Sequence, residues 1–374
     1  MRLLLAPDKF RGTLTARQAA EAFETGWRRA RPGDTHDLAP LADGGEGTLE
    51  ALVDALGGTV VGAQVTGPLG ERVDAGFGVA EGPNGRVAIV EMARASGLAL
   101  ISESRRDPGR TTTYGTGELI RLALDHEPAH LVVCIGGSAT NDGGAGMAQA
   151  LGARLSDERG DPLEPGGRAL VGLKGIDVSS MDPRLRRLKT TVASDVDSPL
   201  CGPSGASAVF GPQKGASPED VQDLDRSLAH LAAVVHRDLG INLKDEPGAG
   251  AAGGLGFGLM AFCGAHLRPG IDVVMEAVGL AERMALADVA VTGEGKLDQQ
   301  SLHGKVPAGV LRLAGETDVP VLIVCGVAEV EPAGAQVWAL SERFGLEAAL
   351  QDARGCLIGL AAELAQRWQE PDGS

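Results

Sequence analysis

The sequence predicts an α/β chain of two domains, a discontinuous parallel-sheet domain from residues 1–60 and 285–374 and an inserted mixed-sheet α/β domain at 61–284. Three observations predict it. The chain has 374 residues, more than one compact core organises. Short apolar strands alternate with helix-period segments towards both ends, the pattern of a parallel sheet flanked by helices. From about Thr59 to Gly97 that alternation gives way to strand-like runs separated by turn residues, the texture of antiparallel pairing.

Leu3 to Ala6 reads as the first strand. Thr15 and Gln18 have the spacing of a capping box, and Ala16, Ala19, Ala20, Phe23, Trp27 and Ala30 repeat at helical spacing until Pro32-Gly33 stops them. A second strand near Leu38 to Leu41 leads through Asp43-Gly-Gly-Glu46-Gly into a helix with Leu49, Leu52, Val53 and Leu56 on one face. Val60 to Val65, Val73 to Val79 and Val87 to Glu91 form the candidate antiparallel strands. Buried-type strands follow at Leu131 to Ile135, Thr190 to Ser194, Asp288 to Thr292 and Val319 to Cys325. The functional site is expected in the interdomain cleft.

Apolar residues at 43% and charged residues at 22% are globular proportions, while 55 glycines beside 3% aromatics point to a site built from loops. Formal net charge is −16 with no basic block, which argues against a nucleic-acid partner. The five cysteines stand far apart without a C-x-x-C pair, as reduced thiols of a cytoplasmic protein do. The apolar run at Leu3 to Pro7 is too short for a signal-peptide core. Gly248 to His266 carries no formal charge, but its many glycines make a buried Gly-rich loop entering a helix the better reading than a membrane span.

The strongest motif is Ile135-Gly-Gly-Ser-Ala-Thr-Asn-Asp-Gly-Gly-Ala-Gly146, an apolar strand, a glycine loop and a helix in order. Such an arrangement aims backbone amides and a helix dipole at an anion. Asp195 and Asp197 flank Val196 at the expected carboxyl end of a strand, where alternate residues share a face and α/β sheets gather ligands. Gly293-Glu-Gly-Lys-Leu-Asp298 follows another strand and offers Glu294 and Asp298 beside Lys296 and Lys305, a combination suited to phosphate and Mg²⁺. His303 has no second histidine at ligand spacing and reads as a bystander. Gly248-Ala-Gly-Ala-Ala-Gly253 spells the dinucleotide pattern, but Lys244-Asp-Glu-Pro247 precedes it where a strand is required, which rejects a Rossmann site.

Together Ala6-Pro-Asp8-x-Phe-x-Gly12, Leu41-Ala-Asp-Gly-Gly-Glu-Gly-Thr48, Gly136 to Gly144, Pro199-Leu-Cys-Gly-Pro203, Phe210-Gly-Pro-Gln-Lys-Gly215 and Thr292-Gly-Glu-Gly295 closely resemble the bacterial type I glycerate kinases. The resemblance runs from Leu5 to about Cys325 and fades after Gly326. It implies a flavodoxin-like domain split by an inserted α/β domain, with ATP, a divalent metal (Mg²⁺) and D-glycerate as ligands and 2-phosphoglycerate as product. Lys9 and Arg11 depart from the family's more usual Ser and Lys, though Arg11 keeps a basic side chain.

No Walker loop or protein-kinase motif occurs. On these grounds Asp195, Lys296 and Asn141 are the candidate catalytic residues, and Asp8, Arg11, Asp43 and Glu46 the candidate glycerate ligands, with the Arg11 fork suited to a carboxylate. Gly136, Gly137, Ser138, Thr140 and Lys214 are assigned to the nucleotide, and Asp195, Glu294 and Asp298 to the metal. A homodimer is the candidate assembly. The competing readings are a glycerate 3-kinase, a hydroxy-acid dehydrogenase and a non-catalytic nucleotide sensor; clustered carboxylates are costly for a mere anion sensor.

Overall fold

The structure, a computed structural model, describes residues 1–10, 12–42, 45, 47–82, 85–302 and 304–368. The chain forms two compact units, Met1–Asp43 with Gly270–Ser374, and Gly44–Pro269. These limits differ from those the sequence suggests, for a packing reason on each side. The Thr48–Ala55 helix lies against strands Arg72–Gly82 and Gly85–Glu91, and the Gly270–Ala277 helix against Val306–Thr317.

In the discontinuous unit five parallel strands stand in the order Thr35–Leu38, Arg2–Leu5, Val289–Thr292, Val321–Cys325, Ala335–Ala339. Numbered along the unit this is 2-1-3-4-5, the flavodoxin-like order, whose reversal point lies between the first and third strands. Leu3, Leu5, Val289, Val291, Leu322 and Val324 are buried, as strands covered on both faces must be. Helix Ala16–Ala30 packs on helix Ala353–Arg367. Its capping box is present: Gln18 N–H donates to Thr15 Oγ1 at 3.2 Å, and Thr15 N–H to Gln18 Oε1 at 3.0 Å. The second strand runs earlier than the Leu38 to Leu41 expected, yet Ala39 and Leu41 still donate to the Leu5 and Pro7 carbonyls at 2.8 and 2.9 Å. Pro40, which has no N–H, falls between them without breaking that contact.

The inserted unit carries a six-stranded mixed sheet. Thr59–Thr66, Arg72–Gly82 and Gly85–Glu91 form the expected antiparallel meander, and Gly85–Glu91 then pairs in parallel with His130–Cys134, followed by Lys189–Ala193 and His266–Arg268. Lys244 to Gly250 is turn and bend, so the strand a dinucleotide site requires is missing there, and the segment enters helix Ala251–Cys263 through left-handed backbone at Ala252 to Gly254. Among the described residues no helix is long and apolar enough to cross a membrane.

Candidate active site

In the discontinuous unit, Asp8 follows the first strand and Glu294 the third, so both carboxylates flank the point where strand order reverses. Both are buried. The Asp8 N–H donates to the Gly293 carbonyl at 2.8 Å, Thr292 Oγ1 donates to the Ala6 carbonyl at 2.8 Å, and the Gly326 N–H donates to the Glu294 carbonyl at 3.1 Å. The two strand ends are thereby tied together, which is why Gly293-Glu-Gly is held tightly. Asp8 Oδ1 accepts the Lys9 N–H at 2.7 Å.

Lys296 is exposed and paired with Glu329 at 2.9 Å, which raises its pKa through that hydrogen bond. Asp298 Oδ1 accepts the Gln300 and Ser301 amides at 2.9 and 3.2 Å and so caps the short Gln299–Leu302 turn. Arg11, Asp43, Glu46 and His303 lie outside the described residues. Among the described residues no three His, Cys, Asp or Glu side chains gather at one point.

In the inserted unit, Cys134 pairs with Ala193 in register, so the loop from Gly136 and the segment carrying Asp195 leave the same end of the sheet. The strand stops at Ala193, however, and Ser194 Oγ takes the Val196 N–H at 3.3 Å. Asp195 and Asp197 therefore sit on an exposed loop, and the shared strand face expected of them is not formed.

The loop from Gly136 to Gly144 is braced on several sides. Leu98 N–H donates to the Gly137 carbonyl at 2.8 Å and Ala139 N–H to the Ser96 carbonyl at 2.9 Å. Asn141 Nδ2 donates to Ser207 Oγ at 2.9 Å, and Gly143 N–H to the Gly253 carbonyl at 3.1 Å. Asp142 is fully buried and accepts four bonds: Thr113 N–H at 2.8 Å, Thr113 Oγ1 at 2.9 Å, Gly144 N–H at 3.2 Å and Gly146 N–H at 3.3 Å. Desolvation raises its pKa and those four donors oppose the rise.

These bonds revise one expectation. The first amides of helix Ala145–Ala150 are taken by Asp142 and by Thr113 Oγ1, which accepts the Met147 N–H at 2.9 Å, so the protein supplies its own anion there. The donors left for a ligand lie one turn earlier. The amides of Gly136, Gly137 and Ser138 have no acceptor among the described residues, and Gly137 is exposed. Thr140 Oγ1 and Asn141 Oδ1 are buried without a hydrogen-bond partner among the described residues. Leaving such an atom unpaired costs about 1–3 kcal/mol, a cost a bound ligand or water would remove.

Sequence reasoning passed over Thr113, Ser207 and Glu91. Glu91 ends the third meander strand, is buried, and accepts the Gly47 and Leu49 amides at 3.3 and 3.2 Å at the start of the Thr48–Ala55 helix. Desolvation raises its pKa, opposed first by the Leu49 bond. A buried strand-end glutamate was the available signal for it; nothing in the spelling marks Ser207.

The glycerate kinase family model matches residues 3–369. The chain is 51% identical over 326 residues to the glycerate kinase of Bacillus subtilis (strain 168), covering 87% of this chain and 85% of that protein. It is 48% identical over 326 residues to the glycerate 2-kinase of Escherichia coli (strain K12), again covering 87% and 85%. A crystal structure of a Salmonella typhimurium LT2 protein, provisionally named glycerate kinase 2, is similar with a TM-score of 0.89 at 46% identity, over 98% of this chain and 97% of that one. With the motif loops standing at the carboxyl ends of parallel strands in both units, the chain belongs to the glycerate kinase family.

Proposed function

We propose that this protein is an ATP-dependent glycerate kinase that transfers the γ-phosphoryl group to D-glycerate, with 2-phospho-D-glycerate and ADP as products. The observation that carries the reading is the row of three unspent amides, Gly136 to Ser138, at the carboxyl end of a strand in a chain of this family. Phosphoryl transfer asks little covalent chemistry of a protein; it asks for donors on the phosphates and a group that orients the acceptor hydroxyl. The amide row supplies the donors. Asp195, exposed at the same sheet end, is the candidate to accept the hydroxyl proton.

Mg²⁺ bound with the nucleotide neutralises phosphate charge, and it takes hard oxygen ligands while keeping several waters. Asp195 in the inserted unit and Glu294 in the discontinuous unit are oxygen donors of that kind, and each is taken separately as a proposed ligand for it. Asp298 remains the third candidate, with Oδ1 already engaged by amides. Position 2 as the site of transfer is supported by the name of the Escherichia coli relative. Five free cysteines among the described residues suit a cytoplasmic setting.

Incubated with D-glycerate, ATP and Mg²⁺, the pure protein is expected to release ADP, and it is expected not to reduce NAD with the same acid. Phosphorus NMR of the product separates position 2 from position 3. A well-folded protein inactive in this assay would sink the reading. Asp195→Asn keeps shape and deletes charge, so kcat is expected to fall by more than about tenfold, roughly 1.4 kcal/mol of barrier, with unfolding unchanged. Activity retained within that range would remove Asp195 from both the base and the metal role.

A further inference from the structure

Lys214 ends the short turn Pro212–Lys214, and only 2% of its surface is exposed. Its Nζ donates to Ser138 Oγ and to the Thr140 carbonyl, both at 2.7 Å. An ammonium group has three hydrogens and no acceptor, so two of them are spent on the glycine loop, one on each side of Ala139. A lysine that binds phosphate as a point charge must present its ammonium to the ligand. This one is enclosed by protein. Burial pulls its pKa down to about 7, and the attraction of Asp142 opposes that fall.

The bonds around it explain what the enclosure achieves. Ser96 and Leu98 hold the loop through Ala139 and Gly137 from one side, while Lys214 holds the Ser138 side chain and the Thr140 carbonyl. Gly136, Gly137 and Ser138 stand among these braces with their amides unspent. Gly137 has φ +74°, so the row turns there and depends on its flanks to keep its curvature.

We infer that Lys214 is a positioning residue for the nucleotide: it fixes Ser138 and Thr140 so that the Gly136–Ser138 amides keep the arrangement a phosphate group requires, and it does not itself touch phosphate. This rests on the kinase reading above.

The test labels lysines of the native protein with a small acylating reagent, with and without MgATP, and reads each peptide by mass spectrometry. Lys214 is expected to stay unlabelled in both samples and to react only after unfolding. Rapid native labelling that ATP blocks would overturn the inference in favour of a direct phosphate contact. In kinetics, Lys214→Met is expected to raise KM for ATP by about tenfold or more while KM for glycerate moves less than about twofold. Combined with Ser138→Ala, its effect on kcat/KM for ATP should be less than additive, since one residue acts through the other. An unchanged KM for ATP in a folded Lys214→Met protein, or equal rises in both KM values, would also overturn it. Should that variant not fold, labelling of the wild-type chain still decides. Labelling needs no turnover, so its failure is distinct from failure of the glycerate assay.

Discussion

Asp142→Asn is expected to cost about 3–5 kcal/mol of stability, the range for breaking a buried, fully engaged charge. The carboxylate meets four donors and no acceptor. An asparagine amide offers one oxygen where two are used and turns an NH₂ group towards N–H and O–H groups that can only repel it, apart from the reorientable Thr113 hydroxyl. Thr113 and the first turn of helix Ala145–Ala150 would lose their common partner, and Lys214 the charge that opposes its loss of a proton. Urea unfolding measures the first effect. A change below about 1 kcal/mol would mean that water replaces the carboxylate and that the buried network is not what holds the loop.

Gly253→Ala is expected to be as damaging or worse, for a steric reason. A Cβ there would stand 1.9 Å from the Thr140 carbonyl oxygen and 2.7 Å from the Asn141 Cα, both backbone atoms that cannot swing aside. Gly253 also has φ +68°, and its carbonyl accepts the Gly143 N–H. Gly264→Ala is the control, since it shares the left-handed backbone at φ +62° in an open setting with nothing within 4 Å of the added carbon. The control should lose only the backbone term, about 1–2 kcal/mol. Gly253→Ala should lose at least about 3 kcal/mol and reduce kcat/KM for ATP by about a hundredfold or more in whatever folds. Equal losses in the two variants would show that backbone conformation, rather than contact with the loop, is what Gly253 provides.

Much of the fold was legible because its signals are local. The capping box at Thr15 and Gln18, the meander from Thr59 to Glu91 and the apolar strands at His130–Cys134 and Val289–Thr292 each declare themselves within a few residues. The flavodoxin-like order needed the resemblance, because strand order depends on which distant segments pair. The site was legible as a set of loops but not as a set of bonds. Asp142 was visible as one polar residue among four, whereas its capture by Thr113 joins segments 29 residues apart. Lys214 was assigned to the nucleotide, and the bond that turns it inward is to Ser138, 76 residues away. Asp195 and Asp197 were placed on one strand face because their spacing permits it, but the strand ends at Ala193, and the Val196 N–H goes to Ser194 Oγ instead of to a neighbouring strand.

The packing of Gly253 on Thr140 and Asn141, and of Gly254 and Gly258 on the Gly143–Gly144 turn, has a consequence for how this enzyme can be changed. At Gly253, Gly254, Gly258 and Gly144 an added carbon would meet backbone within 2.9 Å. A contact made of side chains can drift, because one partner shrinks as the other grows and the volume is conserved. Here neither partner has anything to give up, so no pair of substitutions compensates. The contact is inherited whole or lost whole. With the nucleotide held by this loop as proposed, variation in nucleotide preference, natural or engineered, would enter from outside this seam, through the segment that leads into Gly136 or the elements that brace it, and a mutational scan should show these glycines as a block of simultaneous intolerance rather than a gradient.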